Sequence, residues 1–296
     1  MSVLTKKIDF AIIMEVKNAN PNGDPLNGNR PRTDYEGLGE ITDVCLKRKI
    51  RDRLIERYNT LMTEEEKVGQ AVFVQSDDRR LDQHKSLKAR AEDSKDGLGK
   101  DAFKKGADKD KAVDAACKKW IDVRAFGQLF AYGKSEGADG VSIPVRGPVT
   151  IQSAFSKEPV GITSTQITKS TNSEPPKKSG DENSMSSDRM GMKHRVDKGI
   201  YVTYGSMNPQ LAEKTQFSDV DAAIIKQILP RLFENDASSA RPEGSMRVRT
   251  VIWWEQGSKC GKYSSAKVHG SLKVEPDGSF DFDDLDGLSP EIIDGF

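Results

Sequence analysis

Residues 8–16, IDFAIIMEV, put Ile8, Phe10, Ile12, Met14 and Val16 at every second position, which makes a strand with one apolar face. The stretch NPNGDPLNGNRPRTD, residues 20–34, holds too many turn formers to extend that strand, and ITDVCLKRKIRDRLIERYN (41–59) follows closely. That segment has helical spacing, with Thr42 or Asp43 as N-cap and Val44, Leu46, Ile50, Leu54 and Tyr58 as core contacts. Long Gly/Asn/Pro loops inside compact domains are uncommon and are usually functional or disordered. A strand, such a loop and a basic helix in succession point to a mixed fold.

The rest of the chain repeats the mixture irregularly. QAVFVQ (70–75) reads as a second strand, and 76–119 is a solvated, charge-dense helical insertion. Val113, Ala116, Cys117, Trp120 and Ile121 form the stripe that docks its end on the core. VSIPVRGPVTIQSAF (141–155) reads as strand, with Pro144 and Pro148 at edges or ends. Residues 156–195 are a long polar excursion with the character of a hairpin, and GIYVTYG (199–205) is a strand. SDVDAAIIKQILPRLFEND (218–236) is a helix that Pro230 ends or kinks. MRVRTVIWWEQ (246–256) is a strand with Val248, Thr250, Ile252 and Trp254 on one face. With no internal repeat, the expectation is an α+β core carrying elaborations.

Charge narrows the function. The 46 basic and 46 acidic residues cancel, which argues against a simple polycation. Residues 271–296 carry one Lys and eight Asp or Glu, so 1–270 hold 45 basic against 38 acidic residues, a net of +7. The reading is a basic body with an acidic C-terminal tail. MSVLTKKIDF lacks the apolar run of a signal peptide, and nowhere is there a transmembrane-length stretch, so the expected location is the cytoplasm. Cys45, Cys117 and Cys260 fit neither a disulfide framework nor a zinc pattern. GQLFAYGKS misses the phosphate-loop spacing by one residue, and DFDDLDG (281–287) lacks the calcium loop's closing Glu. His84, His194 and His269 show no metal-ligand spacing, and no catalytic motif is present, so no metal or cofactor is expected.

What remains is basic and positional. Lys47, Arg48, Lys49 and Arg51 lead a run of six cations on the first helix. They are spread around its circumference, so they cannot all form one stripe, yet the surplus suits a phosphate-tracking surface. The loop before it adds Arg30, Arg32 and Gly/Asn residues, Asn22 among them, that can turn backbone N–H groups toward an anion. Arg124 and Arg146 lie in turn-like contexts. Arg189, Met190, Lys193, His194 and Arg195, with Met192, combine cations and thioethers at the base of the polar excursion.

Together these stretches resemble the crRNA-binding backbone subunit of type I CRISPR Cascade complexes, in its type I-C form. The resemblance rests on NPNGDPLNGNRPRTD with ITDVCLKRKIRDR, on DVRAFGQLF followed by VRGPVTIQSAF, on MGMKHRV with GIYVTYG, and on FENDASSAR. These blocks follow the family's order from about residue 8 to 255. Met192 stands where an Arg is usual and Asn235 where a His is usual.

The resemblance implies a ferredoxin-like, RRM-type palm (1–75, 120–155 and 196–270) with inserted finger and thumb elements, the thumb at 156–195. It implies a non-catalytic protein that polymerises along a guide RNA and presents it to a target DNA strand. Implied partners are crRNA, further copies in a helical filament, the large, crRNA-handle-binding and small Cascade subunits, and a recruited helicase-nuclease. The RNA-binding residues it suggests are Asn22, Arg30, Arg32, Lys47, Arg48, Lys49, Arg51, Arg124, Arg146, Arg189, Met190, Lys193, His194 and Arg195. Two alternatives stay open. One is a stand-alone single-strand RNA binder stacking bases on Trp253 or Trp254; the other is an RNA-processing nuclease using His194 as its base.

Overall fold

The computed structural model describes residues 2–104, 106–132, 141–168 and 190–296; Arg189 and the far part of the polar excursion lie outside them. The strand expected at 8–16 is β1 (Ile8–Ala19). The loop after it holds two short paired strands, β2 (Gly23–Asp24) and β3 (Arg30–Pro31), and leads through β4 (Leu38–Ile41) into α1 (Asp43–Glu56). Thr42 caps α1 by accepting from the Cys45 N–H at 3.3 Å, and Asp43 in the first turn complements the helix dipole. After α2 (Leu87–Glu92), α3 (Lys109–Lys119) and α4 (Ile121–Phe126) come β5 (Gly127–Tyr132), β6 (Val141–Arg146), β7 (Val149–Ile151), β8 (Ala154–Pro159), β9 (Ile162–Thr168) and β10 (Met190–Met207). Helices α5 (Pro209–Thr215) and α6 (Asp219–Ile228) precede β11 (Met246–Glu255). The chain closes with α7 (Ser265–Ser271), β12 (Leu272–Val274), β13 (Phe280–Phe282) and β14 (Glu291–Asp294).

The central sheet is antiparallel, in the order β14-β11-β1-β10-β8-β4, with β7 and β9 also on β10. Taking β1, β7/β8, β10 and β11 as the four core strands, with α1 and α6 as crossovers, gives a βαββαβ path in the spatial order 4-1-3-2. This is the expected ferredoxin-like arrangement. The insertions leave it between α1 and β7 and between β8 and the body of β10.

Both faces of the sheet are covered. Ile8, Phe10, Ile12, Met14 and Val16 pack with Leu46, Ile50 and Leu54 of α1 and with Ile224, Ile225 and Ile228 of α6. Each such side chain contributes about 1.5–3 kcal/mol by leaving water. Val44 is exposed and Ile55 takes a place in this core. The other face, Ala11, Ile13, Ile200, Val202, Ile252 and Trp254, is roofed by Val268, Leu272, Val274, Leu285 and Leu288. The acidic end is therefore folded: its apolar residues seal the sheet and β14 extends it beside β11.

Three further expectations change. Residues 70–75 form an isolated bridge, Ala71 to Trp120, and no strand, because the Asp122 carboxylate takes the Phe73 and Val74 N–H groups at 2.7 and 3.0 Å. The insertion has its own core, in which Phe73, Ala91, Phe103, Ala116, Cys117 and Trp120 meet Phe130, Ile143 and Val145. The β5–β6 hairpin, expected with the palm, thus packs with the insertion. In β11 the register slips at Arg249, so Val248 faces the α1 side with Val251 and Trp253, while Ile252 and Trp254 face the other. One extra residue reverses the alternation.

Candidate nucleic-acid interface

The 20–34 loop is built by its own polar side chains. Asn22 Oδ1 accepts from the Thr42 N–H at 2.9 Å and from its hydroxyl at 2.8 Å, which ties the loop to the start of α1. Asn20 donates to the Asn29 carbonyl at 2.7 Å, and Arg32 pairs with Asp24 at 3.3 Å. Gly28 and Asn29, both at φ 58°, make the left-handed turn at the tip. The loop thereby aims Arg30 at the arm formed by β9 and the first part of β10. Arg30 Nη1 donates to Ser164 Oγ at 3.3 Å, and His194 Nδ1 lies 2.8 Å from the same oxygen.

On that arm, strand alternation sorts the residues into two sets. Met190, Met192 and His194 stand opposite Thr168, Gln166 and Ser164. Gly191, Lys193 and Arg195 stand opposite Ile167, Thr165 and Thr163. The thioethers, 54% and 55% exposed, therefore share the Arg30 side, while Lys193 and Arg195 point to the reverse side. Arg195 lies 3.7 Å from Asp197; Lys193 has no ion pair among the described residues.

The α1 cations are less available than their number suggests. Lys47 pairs with Asp43 at 2.9 Å and Arg48 with Asp78 at 3.1 Å, both keeping some exposure. Lys49 is 3% exposed and paired with Asp236; burial pushes its ammonium below the ordinary lysine value. Arg51 lies over the Phe126 ring and donates to the buried Asp122 at 3.0 Å. Arg124, 6% exposed, grips Asp221 at 2.7 and 2.9 Å and reaches the Gly69 and Cys117 carbonyls. Lys49 and Arg124 are spent on buried partners, and Arg51 is engaged through its Nε. Arg146 is exposed at the end of β6, opposite Gly127.

Two cations were missed in the sequence. Lys17 and Lys198 are direct cross-strand partners where the arm leaves the sheet, and both are exposed. Like charges placed opposite each other are unfavourable and suit an anion-facing surface. Only the β1–β10 register reveals the pair. Trp253 and Trp254, by contrast, are 2% and 1% exposed, so neither offers a stacking platform.

The family model described as CRISPR-associated protein Cas7 matches residues 6–286. This chain belongs to the Cas7 family. Over 47 residues it is 47% identical to CRISPR-associated protein Cas7 of Haloferax volcanii, a match spanning 16% of this Cas7-family chain and 14% of that relative. Chains of two solved structures, "CRISPR RNA-guided surveillance complex, pre-nicking" and "CRISPR RNA-guided surveillance complex", align with TM-scores of 0.45 and 0.44. Their identities are 18% and 15%, over 84% of this chain in each case and 78% and 68% of theirs. Among the described residues of this Cas7-family chain, no helix is long and apolar enough to cross a membrane.

Proposed function

We propose that this Cas7-family chain is the crRNA-binding backbone subunit of a type I-C Cascade complex. Copies line one guide RNA as a helical filament and present its bases to a target DNA strand, and the chain itself makes and breaks no bonds. The observation that carries this reading is the meeting of the 20–34 loop with the β9–β10 arm at Arg30, Ser164 and His194. There, the Arg30 guanidinium and the exposed thioethers share one surface: Arg30 holds phosphate while Met190 and Met192 lie against bases. Lys17, Lys198, Lys193 and Arg195 extend the positive field around the arm. Base pairing then reads sequence, and the protein reads backbone and shape. Partners on this reading are crRNA, further copies, the large, handle-binding and small subunits, and a recruited helicase-nuclease, all in the cytoplasm.

The test is a salt titration of RNA binding by the purified chain. Replacing Arg30 by Ala should weaken binding for every guide sequence alike. If it loses one phosphate contact, the slope of log affinity against log salt falls by about 0.7. Affinity and slope both unchanged would remove the junction of the loop and the arm from the interface.

A further inference from the structure

We propose that His84, Asp93 and Asp96 form a binding site for a first-row divalent metal ion of the zinc class, within the insertion and apart from the nucleic-acid surface. One donor atom from each residue lies within 4.8 Å of the others. Donors about 2.1 Å from a zinc ion sit roughly 3.4 Å apart in a tetrahedral set, so small side-chain rotations complete the approach. An imidazole nitrogen with two carboxylate oxygens is a donor set suited to zinc and its first-row neighbours.

Backbone contacts fix the segments that carry His84 and Asp93. On one side, the His84 N–H donates to Asp82 at 3.0 Å and its carbonyl accepts from Arg80 at 3.0 Å. Asp82 is clamped in turn by Arg90, whose Nη1 also donates to the Phe73 carbonyl at 2.8 Å. On the other side, the 93–99 loop folds back over the end of α2, with Leu98 N–H donating to the Ala91 carbonyl at 2.8 Å. Gly97 permits this, since a Cβ there would strike the Arg90 and Ala91 carbonyls. Asp93 uses one oxygen for the Lys95 and Asp96 N–H groups, which hold its carboxyl below the usual range, and its second oxygen makes no hydrogen bond among the described residues.

Charge supplies the second reason. In the same segment Asp77, Asp78, Asp82, Glu92, Asp101 and Asp108 each have a Lys or Arg partner, while Asp110 and Asp114 on α3 have none among the described residues. Asp93 and Asp96 have none among the described residues, although they approach each other and an imidazole whose nitrogens make no protein hydrogen bond there. His84 and Asp93 border an open cleft of about 670 Å³, also lined by Glu92, Lys100 and Asp101, with room for water in the remaining coordination positions.

The experiment is calorimetric titration of metal-stripped, full-length protein with Zn²⁺. One equivalent should bind and raise the melting temperature. His84→Ala and Asp93→Asn should each weaken it at least tenfold, whereas Asp110→Asn, on α3 and outside the cluster, should leave it unchanged. Asp93→Asn keeps the oxygen that accepts the two backbone N–H groups, so the loop is preserved, and circular dichroism checks both folds. No saturable binding, or binding that survives both substitutions, overturns the assignment. The result is independent of RNA affinity, so the two proposals fail separately.

Discussion

Replacing Arg124 by Ala separates a structural role from an RNA contact. In the folded chain this guanidinium makes two hydrogen bonds to Asp221, at 2.9 and 2.7 Å, and two to carbonyls, at 3.0 Å from Gly69 and 2.7 Å from Cys117. Asp221 is itself buried and completes the capping box of α6 with Ser218. Truncation strands that carboxylate without a counter-charge, and removing one partner of a buried pair costs about 3–5 kcal/mol. At a few degrees per kcal/mol for a chain of this size, the melting temperature should fall by roughly 6–15 °C. Adding Asp221→Asn removes the stranded charge and should recover part of the loss, as a thermal melt of the four cycle members would show. An Arg124→Ala protein that melts within a degree or two of the parent, yet binds RNA less tightly, would refute the reasoning and return Arg124 to the interface.

Three further outcomes concern His269 and two glycines. Burial pushes the His269 imidazole below the ordinary histidine value of 6.5, against the pull of Asp9 at 3.6 Å and with the Tyr204 ring and Lys7 also facing it. The fold favours neutral His269, so the unfolded chain takes the proton first and stability should decline as pH falls below about 6.5. His269→Gln should flatten that segment of a melting-temperature profile, and an unaltered profile would contradict it. A Cβ at Gly205 would strike the Phe10 ring, so Gly205→Ala should cost about 1–3 kcal/mol in a denaturant melt. Gly270→Ala, with open space around it in α7, should be neutral or stabilising in the same assay.

Local pattern carried much of the fold. Alternation in 8–16, the Thr42 cap, the Leu46/Ile50/Leu54 spacing and the break near Pro230 all depend on neighbours a few residues away. They were legible for that reason: α6 ends at Ile228 and a 3-10 turn spans Leu229–Arg231. What failed depended on distant partners. A single unpaired residue, Arg249, reversed the faces of β11, and the Asp122 carboxylate captured the backbone of a segment that otherwise reads as strand. The acidic end conceals Leu272, Leu285 and Leu288 among its charges, and these cover the sheet.

The candidate surface was legible in the same uneven way. Composition located the loop and the arm, but Asp78, Asp122, Asp221 and Asp236 neutralise Arg48, Arg51, Arg124 and Lys49 from far along the chain. Charge counting on α1 therefore overstated what faces solvent. The Lys17–Lys198 pair has no local sign at all, since it exists only through strand register.

The most direct test of the central claim is the mass and RNA content of the complex formed when the protein is expressed with a CRISPR repeat-spacer transcript and the other Cascade subunits. A large ribonucleoprotein holding several copies of this chain on one protected RNA, with a fixed copy number per guide, is the expected result. Complexes that form without this chain, or that carry it with no RNA, would contradict it.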